Sequence, residues 1–197
     1  FETWARRAGR IAPAPGGEAV LFQICYVQSN EPQLGRDTVE VMERNGVDLR
    51  CAAGLRCCGM PAWERGDLGS VRQQARHNLR ILLPFVDAGA KVLAVNPTCS
   101  MMLRRDCPAL VDSADRPAAE KLAAATMDPS EFLWSIRNEP RFCSDFKSAP
   151  AGPVAYHAPC HLRAQGVGFK GRDLLRRIPG LQPHTVQECC GHDGTYA

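Results

Sequence analysis

The sequence predicts an α/β protein made of two related Rossmann-like halves with parallel sheets and cysteine sites at the carboxyl ends of strands. Three observations carry that reading. Short apolar runs of strand length alternate with helix-period segments, the order that builds a parallel sheet. Cysteine-bearing turns follow the predicted strands, where open parallel sheets place their ligands. The tripeptide Cys-Cys-Gly occurs twice, at Cys57-Cys58-Gly59 and Cys189-Cys190-Gly191, each time after a strand and a cysteine in the same order.

Residues 1–17, "FETWARRAGRIAPAPGG", lack the charged, apolar and small-residue regions of a leader and are expected to be an incoming linker. "EAVLFQICYV" is a continuous apolar strand, with Cys25 at its carboxyl end before the turn-like "QSNEP". A helix over about 35–43 ends at Asn45-Gly46, "VDLR" is a short strand, and Cys57-Cys58-Gly59-Met60-Pro61 is a loop. The clearest helix covers about 68–86, where Val71, Ala75, Leu79, Leu82 and Val86 recur at spacings of three and four, with Asp67 as N-cap and Gly89 as stop. It leads to the buried strand "KVLAVN", which ends in Asn96-Pro97-Thr98-Cys99 before "SMMLRRD" turns helical. Two helices follow near 117–126 and 129–138, with Leu122, Phe132, Leu133 and Ile136 as packing residues. "SAPAGP" from Ser148 marks a boundary between a first half, 18–150, and a second half, 151–197, that reads as truncated. The second half repeats the opening pattern: "VAYHAP" as strand, Cys160 at its end, the helix "GRDLLRRI" stopped by Pro179-Gly180, then Cys189-Cys190.

With 197 residues, 45% of them hydrophobic, the chain can bury a substantial core. A net charge of only +3, with arginines scattered among acidic residues, argues against a nucleic-acid partner. The longest apolar stretch, "ILLPFV" from Ile81, is broken by Pro84 and falls far short of the roughly 20 residues that span a bilayer. Ten cysteines in a chain too large for a small secreted disulfide scaffold point to cytoplasmic thiols used for metal binding.

The cysteines fall into two sets: Cys25, Cys57, Cys58 and Cys99, then Cys160, Cys189 and Cys190. By the first-half spacing, a further strand and a last cysteine are expected about 40 residues beyond Ala197. Iron-sulfur clusters need several thiolates converging from separate segments. Adjacent cysteines can reach different irons of one cluster, whereas a single zinc ion more often uses C-x2-C spacing. Gly59 and Gly191 permit close backbone approach and aim neighbouring N–H groups at the sulfurs. His157, His161 and His192 stand beside these turns as candidate hydrogen-bond donors to the site. The bland alternative for the first set is a group of buried thiols, and the serious rival is zinc. Cys51, Cys107 and Cys143 fit no motif, and neither His77 nor His184 has such a context. Gly166, Gly168 and Gly171 match G-x-G-x-x-G, but "CHLRAQ" separates them from the strand, which argues against a dinucleotide loop. Met101 and Met102 read as packing residues, and the Arg-rich "RRDC" and "RDLLRR" as solvated helix faces.

The stretches "CYVQSNEPQLG", "RCCGMPAWERGD", "NPTCSMML", "YHAPCHLRAQGVGFKGRDLLRRIPG" and "CCGHDGTYA" together resemble the cysteine-rich CCG domain of the heterodisulfide reductase B-subunit superfamily. They are most similar to the branch that includes the iron-sulfur C subunit of anaerobic glycerol-3-phosphate dehydrogenase and the glycolate oxidase iron-sulfur subunit. The resemblance implies an electron-transfer component of an oxidoreductase complex with a flavin-dependent dehydrogenase subunit as partner and a ferredoxin-like iron-sulfur domain before the CCG domain. In the glycerol-3-phosphate branch it implies a quinone as acceptor, which would place the complex peripherally on the inner face of the cytoplasmic membrane. In the heterodisulfide reductase B subunit each motif binds a noncubane [4Fe-4S] cluster through five cysteines, including a terminal CxxC. Here Cys99-Ser-Met-Met puts Met102 in the second position, so the resemblance leaves an ordinary [4Fe-4S] centre at the first set. It carries the ligand role to Cys25, Cys57, Cys58, Cys99, Cys160, Cys189 and Cys190, for one or two clusters, with zinc instead at one site as the alternative. The competing functions are a zinc-stabilised interaction module and a thiol-disulfide oxidoreductase working through Cys57-Cys58 or Cys189-Cys190.

Overall fold

The computed structural model describes residues 1–11 and 14–189. The segment expected as a linker begins with a helix, α1 (Glu2–Arg7). Glu2 in its first turn and Arg6-Arg7 in its last suit the helix dipole, and Glu2 pairs with Arg6 at 2.6 Å. Phe1 and Ala5 are buried in the core, and Ile11 forms a bridge to Cys51, so this segment is packed onto the fold.

The apolar run from Glu18 yields only a short strand, β1 (Ala19–Leu21), because the chain leaves the sheet after Phe22 donates to the Leu93 carbonyl at 2.9 Å. A π-helical turn over Tyr26–Asn30 leads to α2 (Pro32–Arg44), which starts earlier than expected because Pro32 serves as its first residue. Then come β2 (Leu49–Cys51), α3 (Met60–Glu64) and α4 (Leu68–Asp87). Asp67 caps α4 by accepting the Ser70 N–H at 3.0 Å, and Val71, Ala75, Leu79, Leu82 and Val86 are all buried, as their spacing requires. Burying a side chain such as Leu82 contributes about 1.5–3 kcal/mol.

After β3 (Lys91–Leu93) the chain forms α5 (Pro97–Met101), a π-helical turn over Met102–Asp106 and α6 (Cys107–Leu110). The helix α7 (Arg116–Ala125) is followed by a two-residue strand, β4 (Thr126–Met127), and by α8 (Pro129–Ser135). The second half supplies β5 (Ala155–His157), α9 (Cys160–Ala164), α10 (Lys170–Leu175) and β6 (His184–Val186).

The first sheet is wholly parallel in the order β2-β1-β3-β4, with Ala19 in register with both Leu49 and Lys91. Alternation along its strands feeds two cores. Val20, Phe22 and Val92 face α4 and α7, while Ala19, Leu21 and Leu93 face Phe1, Ala5, Val39, Met42 and Phe132 on the other side. Helices therefore cover both faces, as in a doubly wound sheet. The chain steps from β1 outward to β2 and then back across to β3, so the switch point lies between the carboxyl ends of β1 and β3. A second parallel pair, β5-β6, forms its own small sheet. Among the described residues no helix is long and apolar enough to cross a membrane.

Candidate metal centre

Cys25 lies just beyond β1 and starts the π-helical turn, with the Gln28 N–H bonded to the Ile24 carbonyl at 2.8 Å beneath it. Cys99 lies just beyond β3, inside α5, whose start is capped by Asn96 accepting the Thr98 N–H at 2.9 Å. These two thiols flank the switch point. The third arm is the loop after β2, which carries Cys57 and Cys58 and is fastened to α4. His77 Nε2 lies 2.7 Å from the Gly54 carbonyl oxygen. Asn78, only 1% exposed, accepts the Arg56 N–H at 2.8 Å and donates to the carbonyls of Arg56 and Cys57 at 3.0 and 3.2 Å.

Together Cys25, Cys57, Cys58 and Cys99 line one cleft of about 170 Å³ with Ile24, Tyr26, Met60, Pro61, Glu64, Asn96 and Thr98. Their sulfurs form a row. Cys57 accepts from the thiols of Cys25 and Cys58 and from the backbone N–H groups of Gly59 and Cys58, and these donors hold it well below the ordinary thiol range. Cys25 is pushed up by its bond to Cys57 and by burial, and Cys58 by its bonds to Cys57 and Cys99 and by burial. One thiolate beside protonated neighbours is the arrangement that like-charge repulsion favours in metal-free protein. Gly59 has φ +103°, a conformation that strains any residue with a Cβ, and it is this turn that brings the two N–H groups to the sulfur.

Cys58 and Cys99 are buried, Cys57 is half-buried and Cys25 is exposed, so the row runs from the core to solvent. Among the described residues no three His, Cys, Asp or Glu side chains are arranged to hold a metal ion. The thiols instead contact one another, and uptake of a metal requires them to lose protons and the row to open. The donor set itself, four thiols from three strand-end segments, fits a cluster that takes cysteine thiolates.

The second set is partly described. Cys160 is the exposed first residue of α9, and Arg163 Nη2 donates to its sulfur at 3.6 Å. His157, at the end of β5, places Nε2 2.9 Å from the Glu188 carbonyl oxygen and so holds the segment entering Cys189 beside that strand. His161 Nδ1 lies 2.8 Å from Thr98 Oγ1. Asn96, Pro97, Thr98, His157, Pro159, Cys160 and His161 line a cleft of about 240 Å³. Asn96 and Thr98 thus belong to the walls of both clefts. Cys190, Gly191 and His192 lie outside the described residues.

The remaining candidates sort by burial. Cys51 and Cys107 are core thiols, pushed up by burial to about 11 and about 12, and Cys143 lines an apolar cavity elsewhere. Met102 is fully buried, a packing residue. The G-x-G-x-x-G match lies between α9 and α10, and a Cβ on Gly171 would come within 2.9 Å of the Tyr156 ring, so this glycine serves helix-to-strand packing. Sequence reasoning missed Asn78, Thr98 and Glu64. Asn78 had a visible signal, a polar residue within the apolar stripe of α4.

The family of the cysteine-rich CCG domain matches residues 19–104 and 154–197, two stretches that each contain one of the cysteine sets. This chain belongs to the CCG cysteine-rich domain family. Over its full length the CCG chain is 30% identical to the C subunit of the anaerobic glycerol-3-phosphate dehydrogenase of Escherichia coli (strain K12), of which it spans 48%, about half. Over 90% of its length it is 29% identical to lactate utilization protein A of Shouchella clausii (strain KSM-K16), covering 73% of that protein. Lactate utilization protein A of Bacillus cytotoxicus is 28% identical over 91% of the chain, which covers 74% of that relative.

Proposed function

We propose that this CCG domain holds an iron-sulfur cluster and relays electrons between a flavin-dependent dehydrogenase and a quinone or other acceptor. The observation that carries the reading is the row of four thiols, Cys25, Cys57, Cys58 and Cys99, in one cleft at the switch point of a parallel sheet. Those four would hold a [4Fe-4S] cluster, and Cys160, Cys189 and Cys190 would contribute to a second. The cluster supplies one-electron transfer. The protein's own part is to deliver thiolates, exclude water from the buried end at Cys58 and Cys99, and offer the Gly59 and Cys58 N–H groups to the Cys57 sulfur. The names of the relatives, a dehydrogenase subunit and a lactate utilization protein, support a place in a substrate-oxidising complex. Such a complex would include a ferredoxin-like iron-sulfur domain and sit in the cytoplasm, against the inner face of the membrane where a quinone is the acceptor.

A second reading, thiol-disulfide exchange, draws on the stabilised Cys57 thiolate beside Cys25 and Cys58. Iron, acid-labile sulfide and zinc content of anaerobically purified protein separates the two, with electron paramagnetic resonance before and after dithionite, on the wild type and on Cys58→Ala. Roughly four irons and four sulfides per site, lost or altered in the variant, supports the relay. Stoichiometric zinc without a cluster signal would replace it with a structural module. Metal-free protein whose disulfide reductase activity is abolished by alkylation would replace it with thiol chemistry.

A further inference from the structure

The outer face of α4 carries Arg72, Arg76 and Arg80 at four-residue spacing, all exposed. With Arg56, Gln73, His77 and Asp112 they line an open groove of about 560 Å³. Its cations differ in how they are held. Arg76 pairs with Asp115 at 2.5 Å and also with Asp112, and Arg72 donates to the Leu110 carbonyl at 2.9 Å, so these two are fixed in place. Arg56 and Arg80, among the described residues, have no acidic partner. Four guanidinium groups against two carboxylates leave this groove positive in a chain whose net charge is only +3. The groove is also mechanically joined to the cysteine site. Arg56 directly precedes Cys57, and both are clamped by Asn78 from the same helix that carries the arginines.

We propose that this groove docks the acidic surface of a protein redox partner, placing that partner's electron carrier beside the Cys57-Cys58 loop; the proposal rests on the electron-relay reading. Charge complementarity selects the partner. Exposed guanidinium groups gain little individually, but a positive patch steers an acidic protein toward its groove and suppresses wrong orientations. A nucleic-acid backbone is the poorer fit, because Asp112 and Asp115 stand within the patch and would face its phosphates.

The test is binding of a fluorescein-labelled polyglutamate peptide to the full chain, read by anisotropy at about 0.02 and 0.3 M salt. Arg56→Ala/Arg80→Ala is compared with Arg7→Ala/Arg44→Ala, an equal charge change at exposed sites outside the groove. The expected result is binding that fades at the higher salt and weakens at least about fivefold in the groove variant alone, from two lost exposed contacts. Equal binding by both variants, or none by the wild type, overturns the docking site. Tighter binding of pyrophosphate or of a DNA oligonucleotide, lost in the groove variant, also overturns it in favour of a phosphate site. Iron content is measured on every sample. A chain that binds the peptide through the groove but holds no cluster would sink the relay reading and leave the groove standing, whereas a loaded chain that ignores the peptide does the reverse.

Discussion

Thr98 Oγ1 and His161 Nδ1 lie 2.8 Å apart, a hydrogen bond that joins the strand-end segment of Cys99 to that of Cys160. Gln165 reinforces the junction by donating to the Pro97 carbonyl at 3.2 Å and to Ser100 Oγ at 3.0 Å. Two short helices, α5 and α9, therefore meet where each half carries its strand-end cysteine.

Removing this link should loosen the second half without unfolding the first. Thr98→Val keeps shape and deletes the hydroxyl, at a cost of about 1 kcal/mol. Amide hydrogen exchange across α9 is expected to accelerate while α4 keeps its protection. Unchanged exchange in α9 would show that other contacts hold the halves together.

Asn78 is a positioning residue for the Cys57-Cys58 loop. Its replacement by Leu leaves the Arg56 N–H and the Arg56 and Cys57 carbonyls without their partner, a loss of about 2 kcal/mol or more. Denaturant unfolding should register that loss, and iron per chain should fall with it. Asn78→Asp keeps the acceptor for the Arg56 N–H but sets a buried carboxyl against the Arg56 and Cys57 carbonyls, so it should recover neither. Full iron occupancy in Asn78→Leu would remove the positioning role.

Much of this was legible in the sequence, for identifiable reasons. The α4 stripe of Val71, Ala75, Leu79, Leu82 and Val86 spans about four turns, long enough for periodicity to speak, and the Asp67 cap is a local hydrogen bond. The places of Cys25 and Cys99 are legible because each follows an apolar strand, and strand-end loops are where parallel sheets open. What was hidden is short or nonlocal. The six-residue α1 looks like linker until Phe1 and Ala5 are seen packed on the sheet, and the two-residue β4 exists only because Val92 and Leu93 pair with it. The row of sulfurs likewise depends on Asn78 reaching back some twenty residues to hold the loop, a contact that composition cannot reveal.

Gly59 joins fold and site in one residue. At φ +103° a side chain is strained, and a Cβ would sit 3.4 Å from Val71 Cγ1. Gly59→Ala is expected to cost about 1–2 kcal/mol in backbone strain and to turn its N–H away from Cys57. The cluster's electron paramagnetic resonance spectrum should change shape at unchanged iron content, or iron should fall outright. A wild-type spectrum at wild-type occupancy would mean that the turn serves the backbone alone.

Metal-free protein offers a chemical check on the thiol arrangement. Within the first set iodoacetamide is expected to modify Cys57 first under native conditions, since it is half-buried and held as thiolate, and Cys25 more slowly, because its exposed thiol is pushed up by its bond to Cys57. Cys51 and Cys107, buried and pushed up to about 11 and about 12, should react only after unfolding. Peptide mass spectrometry over a time course reads the order, and early modification of Cys51 would contradict the packed sheet core.

Asp128 carries the clearest link between pH and stability. It caps α8 by accepting the Ser130 N–H at 2.8 Å, yet it is only 5% exposed, and burial raises its carboxyl above the ordinary range despite that bond. A carboxyl whose pKa is raised on folding contributes stability below its unfolded value and loses that contribution as pH rises through its folded value. At neutral pH the folded protein therefore bears the cost of a buried charge. Asp128→Asn keeps the capping oxygen and removes the charge, so the variant should be the more stable at pH 7. Its advantage should shrink as pH falls through the folded pKa of Asp128, because the wild-type carboxyl becomes neutral there too. Urea unfolding of both proteins across that range measures the gap. A gap that widens toward acid would show that Asp128 is held as an anion by partners stronger than the Ser130 and Glu131 N–H groups.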